Sequence, residues 1–374
     1  MNLSLLLSQM ANQESLSSIV WQKLRKRGSA MLGLGLIVVS IFLAIFAYLI
    51  IPEDTPNANR QLPEIALQPP LFNTDCIKYQ NAVTGSDKSW LASVFTGFES
   101  GDEHIPYQRL ELIEDELQVT NHYGQIRILS FADLGLQKMS LTELKTNHVI
   151  NKRYWLGTDR YGRDILSRLI LGIRVSLTVG LLAVTISVII GIFLGSVSGY
   201  FGGWLDQVIS FLINVSWSIP TLLLVFAIVL ALGRGVGIIF LAVGLTMWVD
   251  VARIVRGQVL QQKNMQYVEA AKSIGLREIP VLARHILPNI VGPILVIAAA
   301  NFATAILIEA GLSYLGFGIR PPSPSIGNML NEQYGFALSG KPFLALVPAI
   351  TIMLLVLAFN LIGTGLRDAF DVRD

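Results

Sequence analysis

Cysteine occurs once in this chain, at Cys76, which excludes an intrachain disulfide and any metal site built from several thiolates. Cysteine usage therefore leaves the redox compartment unread, and Cys76, with no activating base nearby in sequence, reads as a free or packed thiol. Histidine is also scarce. Its four copies, His104, His122, His148 and His285, lie too far apart to pair as ligands on one helix face, so no metal site is expected. No Gly-x-x-x-x-Gly-Lys-Ser/Thr segment occurs, so any nucleotide triphosphate that drives the protein must be bound by another chain. Charged residues are few: 14% of 374 residues, against 52% hydrophobic, with a mean hydropathy of +0.57. That balance is too apolar for a soluble domain of this length, and a lipid bilayer is the expected solvent. The net charge of +2 argues neither for nor against nucleic acid, and no nucleic-acid partner is expected.

Six runs lack Asp, Glu, Lys and Arg altogether: 28–52, 175–205, 207–233, 235–249, 286–308 and 342–366. About 20 helical residues at ~1.5 Å each cross a hydrocarbon core of ~30 Å, so six spans are expected. The shortest run must borrow Val251, Ala252 and Ile254 to finish its crossing. This places Asp250 near a membrane boundary, where pairing with Arg253 or Arg256 is the expectation. Lys23, Arg25, Lys26 and Arg27 precede the first span in the manner of a signal peptide. That run is too long and lacks a small-residue cleavage site, so it reads as an uncleaved anchor.

Lys and Arg accumulate in cytoplasmic loops, and their distribution orients the helices. With the N-terminus inside, the inner segments hold Lys23, Arg25, Lys26, Arg27, Arg253, Arg256, Lys263, Lys272, Arg277, Arg284, Arg367 and Arg373, whereas the short outer loops hold Arg234, Arg320 and Lys341. Both termini are thus expected in the cytoplasm. The chain divides into a tail and interfacial entry helix (1–28), a first span (29–51), an extracytoplasmic insert with a segment leading to the next helix (52–165), and a five-helix core (166–374) with a cytosolic loop at 255–287. Residues 1–13 read as a disordered tail, and Leu16, Ile19, Val20 and Leu24 form one apolar helical face beside the basic cluster. Residues 52–151 carry fourteen acids and seven bases, with prolines at 52, 56, 63, 69 and 70. A soluble insert follows, but periodicity over Tyr107–Val119 and Gln125–Leu134 fits strands or short helices equally, and a small domain or a surface flap alike.

The long inner loop reads as helix, break, helix. Tyr267 to Ile274 favour a helix, Gly275 suits a left-handed stop, and Pro280 fits the first turn of the next. Ala270, Ala271 and Gly275 offer small side chains that let another backbone approach, and Glu269, Lys272 and Arg277 can pair at the rim. Glu269-Ala270-Ala271, Gly275 and the closing Leu287-Pro288 resemble the "EAA" motif of ABC-importer permeases. His285 stands where the broad pattern often has isoleucine, yet Arg284-His285-Ile286-Leu287-Pro288-Asn289 is similar to the peptide-importer branch. Trp155-Leu156-Gly157-Thr158-Asp159, Gly162-Arg163-Asp164, Leu312 to Gly318 and Asn360 to Asp371 resemble the dipeptide, oligopeptide and nickel permeases as well. The resemblance covers about 155–374 with the entry helix and first span, and does not cover 52 to about 150.

This resemblance implies an all-α membrane protein of six transmembrane helices of the type I ABC-importer permease kind, with an extracytoplasmic insert between helices 1 and 2. It implies a permease subunit in a bacterial inner membrane that imports di- or oligopeptides and is not an enzyme. No catalytic residue and no cofactor is expected on this chain, since ATP and Mg would be held by partner ABC ATPase subunits. The other implied partners are a second homologous permease and an extracytoplasmic solute-binding protein. Glu269, Ala270, Ala271, Ser273, Gly275, Leu287 and Pro288 would form the coupling helix that docks in the ATPase.

Gly191, Gly195 and Gly199 repeat every four residues and predict a close helix contact, either within the chain or with a partner. Glu309 is an acid near the outer end of its span, for which packing is favoured over substrate contact. Asp159, Arg160, Arg163 and Asp164 are expected to pair structurally with each other or a partner. A secondary transporter or channel without an ATPase would also explain the helices, but would show internal repeats or interrupted half-helices with midspan charges, which the sequence does not display.

Overall fold

In a computed structural model, residues 16–80, 97, 101–233 and 235–371 are described. The tail expected at 1–13, and the cations Arg234 and Arg373, lie outside them. The helices are α1 (Leu16–Arg25), α2 (Gly28–Ile45), α3 (Leu141–Asn147), α4 (Ile165–Phe201), α5 (Gly203–Ser218), α6 (Thr221–Leu232), α7 (Val236–Lys263), α8 (Gln266–Ser273), α9 (Glu278–Tyr314), α10 (Ile326–Gln333) and α11 (Phe343–Phe370). Five of them, α2, α4, α7, α9 and α11, are each long and apolar enough to cross a membrane. The charge-free run at 207–233 is not one straight span: α5 and α6 meet at 94°, and they make a sixth crossing only if the bent pair is counted as one. Ile219 and Pro220 explain the break. Proline removes an amide donor and pushes the residue before it out of the helical region, and Ile219 is extended at φ −95°, ψ 127°. An interrupted span is therefore present, without the midspan charges expected of a secondary transporter, since Ser218, Ile219 and Pro220 at the break are uncharged.

The chain forms two compact units, and each is described by itself. The first comprises 1–39, 178–312 and 352–374. Here α1 packs on the end of α11: Leu24 is buried against Ala369, Arg27 pairs with Asp368, and Lys23 donates to the Asp371 carbonyl at 3.0 Å. Close by, a Cβ on Gly33 would lie 2.8 Å from the Ala358 carbonyl, so α2 and α11 touch backbone to backbone. Phe302 and Phe359 stack at 3.9 Å between centroids and fasten α9 to α11. Glu309 is fully buried and has interaction partners within the chain.

The second unit comprises 40–177 and 313–351, and its insert is built of strands. β1 (Phe72–Gln80) lies between β2 (Asp102–Tyr107) and β6 (Val149–Tyr154), all antiparallel. β3 (Arg109–Ile113), β4 (Glu116–Thr120) and β5 (Ile126–Ser130) form a second antiparallel sheet. Alternation drives the burial in β4, where Leu117 and Val119 point inward while Glu116 is exposed. One core joins both sheets through Ile77, Ile105, Tyr107, Leu110, Leu117 and Leu129, with Leu144 of α3 closing it. Ser140 and Glu143 cap α3 reciprocally.

The expected pairing of Asp159 and Arg163 is made: Arg163 Nε donates to Asp159 Oδ2 at 2.6 Å, and Arg163 also pairs with Glu332. Gly162 has φ +74°, and a Cβ there would sit 1.8 Å from the Leu62 carbonyl, so only glycine closes this turn. Cys76 is buried, and burial pushes its thiol up to about 12, which keeps it unreactive.

A charged cluster underlies β1. Arg60 pairs with Asp54 at 2.8 Å and with Glu53 at 3.4 Å, contacts the His104 ring, and donates to the Asp102 carbonyl at 2.9 Å. Burial raises the Glu53 carboxyl to about 7 despite Arg60 and Lys152, and burial with the same two cations lowers His104 to about 3. Between pH 4.5 and 7, folded Glu53 holds a proton that the unfolded chain releases, so its contribution to stability falls as pH rises. Between pH 3 and 6.5, unfolded His104 takes a proton that the folded chain refuses, so that contribution rises with pH. The two oppose each other over pH 4.5–6.5. Glu53→Gln is expected to unmask a rise in insert stability with pH, and His104→Asn a fall, read from hydrogen exchange of the β1 and β2 amides. Identical pH slopes in both variants would contradict the assignment.

Candidate functional site: the knob between α7 and α9

α7 ends at Lys263, and Met265, extended at φ −82°, ψ 146°, turns the chain into the eight residues of α8. Gly275, at φ +81°, stops α8 with the Gly275 N–H donating to the Lys272 carbonyl at 2.9 Å and the Leu276 N–H to the Ala271 carbonyl at 3.3 Å. This is the left-handed C-terminal stop read from the sequence, and glycine adopts it without the Cβ penalty. Arg277 is extended again, and Glu278 opens α9.

One face of α8 is held by the chain itself. Val268 and Ala271 are buried among Tyr200, Val259, Val281, Ile286 and Ile290. Lys263 donates to the Tyr200 carbonyl at 2.6 Å, and the Lys263 and Lys272 ammonium groups lie 5.4 and 5.5 Å from the centre of the Tyr200 ring. The other face is open: Glu269, Ala270, Lys272, Ser273, Gly275 and Arg277 are exposed. Ala271 therefore does not belong to an outward small-residue face, because its turn of helix points into the core. Leu287 is likewise half-buried against that core, whereas Pro288 is exposed where α9 departs from regular α geometry over Leu282–Ile290. Sequence reasoning missed two apolar side chains at the tip, Ile274 at 78% and Ile279 at 70% exposure. Their signal was available: an isoleucine directly before a terminating glycine and another just after the break have no core to enter.

Residues 187–373 match the family described as binding-protein-dependent transport system inner membrane component, and residues 15–70 match the N-terminal TM domain of oligopeptide transport permease C. The chain belongs to this permease family. Among curated relatives, the glutathione transport system permease protein GsiD of Pectobacterium atrosepticum is 40% identical over 229 residues, 61% of this chain and 76% of that one. The dipeptide transport system permease proteins DppC of Alkalihalophilus pseudofirmus and Bacillus subtilis are 41% and 42% identical, over 59% and 63% of this chain and 72% and 73% of theirs. The solved methionine ABC transporter MetNI, in an inward-facing form, aligns at TM-score 0.46 and 17% identity over 54% of this chain and 96% of that one, too distant to assign any residue. The permease is thus a multi-pass membrane subunit of a transport system and not an enzyme. Residues 71–186, which hold most of the insert, lie outside both family matches.

The glycine row of the permease lies within the chain, against α7. A Cβ on Gly191 would stand 2.5 Å from the Val251 Cβ, one on Gly195 2.5 Å from the Ala252 carbonyl, and one on Gly199 2.8 Å from the Arg256 carbonyl. Arg256 then reaches across to α5, giving both Asp206 oxygens a hydrogen bond at 2.6 and 2.8 Å. This corrects the expectation for Asp250. Arg256 is committed to Asp206, and Asp250 instead accepts from Trp217 Nε1 at 2.9 Å, with Arg253 lying 3.7 Å from the Trp217 ring centre. A tryptophan 33 positions away in sequence carries no local signal of that bond.

Proposed function

We propose that the permease is one half of the pore of an ATP-driven importer of short peptides, and that the knob from Glu269 to Gly275 is gripped by a separate ATPase. The observation that carries this reading is the two-sidedness of α8: Val268 and Ala271 root it in the core of α7 and α9, while Glu269, Ala270, Ser273 and Gly275 are left exposed. A short rigid helix of this kind can be pushed by a partner and move the helices it is rooted in. The peptide class follows the relatives named for dipeptide and glutathione transport. On this reading ATP and Mg bind to the partner ATPases, both termini are cytoplasmic, and the insert faces outward toward a solute-binding protein, with a second permease completing the pore.

The bend between α5 and α6 is the kind of interruption that lines ion sites in secondary transporters. Here Ser218, Ile219 and Pro220 form the break, none of them charged, and Ser218 Oγ is spent on the Val215 carbonyl at 2.7 Å. Mild-detergent purification should recover two ATPase chains with the permease, and vesicles holding the assembly should take up a labelled dipeptide only when ATP is supplied. Recovery of no ATPase, together with uptake driven by an ion gradient, would overturn the reading.

A further inference from the structure

α5 is buried along one side only, and its exposed surface is of two kinds. Ile209 and Ile213 are buried with Val249 and Ala252 of α7. Trp204, Phe211 and Val215 are exposed and apolar, at spacings of seven and four residues that place them on one side of the helix. Gln207, Asn214 and Ser218 are exposed and polar, and they repeat the same spacings on a different side. The polar side continues onto α7. Beyond the Asp206–Arg256 pair, Asn214 Oδ1 accepts from Arg253 at 3.4 Å, and Trp217 Nε1 donates to Asp250 at 2.9 Å. As the α5 numbers rise the α7 numbers fall, so the two helices run antiparallel here. At ~1.5 Å per residue, Trp217 lies about 16 Å along α5 from Asp206.

Two independent features of this side are incompatible with lipid. The first is its side chains: Arg253, Asn214 and Trp217 are exposed, and Asp250 is half-buried beside them. An arginine or aspartate within the hydrocarbon costs about 2.5–3.5 kcal/mol, and such residues face water or protein instead. The second is the backbone. The polar side ends at Ile219 and Pro220, which leave helical geometry at ψ 127° and 124° and are both exposed. Irregular backbone at membrane depth is stable only where protein covers it or where it borders a water-filled cavity. Trp204, Phe211 and Val215 make no such demand and suit lipid. α5 thus stands between two solvents.

We propose that Gln207, Asn214, Trp217 and Ser218 of α5, with Asp250 and Arg253 of α7, line the water-filled path of the permease, and that the bend between α5 and α6 forms part of its wall. The inference deepens the pore reading and rests on it. The wall carries one acid and one cation, the cation stacked on the Trp217 ring, so it is polar without net charge.

The test is thiol labelling of the assembled transporter in lipid nanodiscs, where a permanently charged methanethiosulfonate reaches both membrane faces but does not enter hydrocarbon. The native Cys76 is buried, which keeps the background low. Asn214→Cys and Ser218→Cys should be modified at least tenfold faster than Phe211→Cys and Val215→Cys, which sit on the same helix at matching depth. Ser218→Cys exchanges a single atom, so its folding is not in question. In vesicles, labelled Ser218→Cys should lose ATP-dependent uptake tenfold or more, while the same treatment of Val215→Cys leaves uptake unchanged. Equal labelling on the two sides would overturn the proposal. So would protection of both polar-side cysteines, which places a covering helix there, or full uptake by labelled Ser218→Cys. Labelling is read without ATP, and uptake by the unlabelled variants tests the ATPase reading, so the two failures are told apart.

Discussion

Gly275→Val is expected to silence uptake while the permease still inserts into the membrane at its normal level. Two facts separate the local effect from a global one. A Cβ at Gly275 would meet no atom within 4 Å, so the substitution causes no clash inside the chain. Its backbone, however, sits at φ +81°, where a β-branched residue is strained by about 1–2 kcal/mol, so the stop unwinds or the turn reorients. The core-facing residues Val268 and Ala271 keep α8 attached while its exposed end shifts. A displacement of about 1 Å at a coupled site can cost on the order of 100-fold in rate, and a loss of that order is expected in ATP-dependent uptake. Gly275→Ala should lie between wild type and valine. Measuring membrane content beside uptake checks the separation, and normal uptake in the valine variant would remove the coupling role from this turn.

Gly195→Leu should act by the opposite route, through stability. A Cβ at this position would lie 2.5 Å from the Ala252 carbonyl and 2.9 Å from the Val255 Cβ. The first is backbone and cannot rotate aside, so α4 and α7 must separate, and overpacking of this kind costs about 1–3 kcal/mol or more. The separation also strips contacts from Gly191 and Gly199, one turn away on either side, so a loss at the upper end of that range is expected, read as early thermal unfolding in detergent. Gly363→Ala is the control. Its Cβ would meet the Ala299 Cβ at 3.5 Å, an ordinary contact, and replacing a mid-helix glycine by alanine gains about 0.5–1 kcal/mol. Equal effects at 195 and 363 would show that the glycine row has no special role in packing.

The spans were legible because the membrane demands long stretches without charge, and the runs ending at Asp206, Arg234 and Asp250 mark those demands plainly. Within such a run, composition says nothing about straightness. Pro220 was visible, but only its position between two apolar stretches, with no charge to flag a boundary, decided that α5 and α6 bend. The helix stop at Gly275 was readable because its cause is local. Ala271 was not, because whether it faces a partner or the core depends on Val259 and Ile286, which reach it only in the folded chain. The insert divides the same way. Leu117 and Val119 alternate visibly, whereas the placement of β6 beside β1 joins residues more than seventy positions apart and leaves no mark in either segment.

α4 runs unbroken for 37 residues, close to twice what the hydrocarbon needs. At ~1.5 Å per residue it is a rod of roughly 55 Å, so about 25 Å of it must find cover outside the lipid tails.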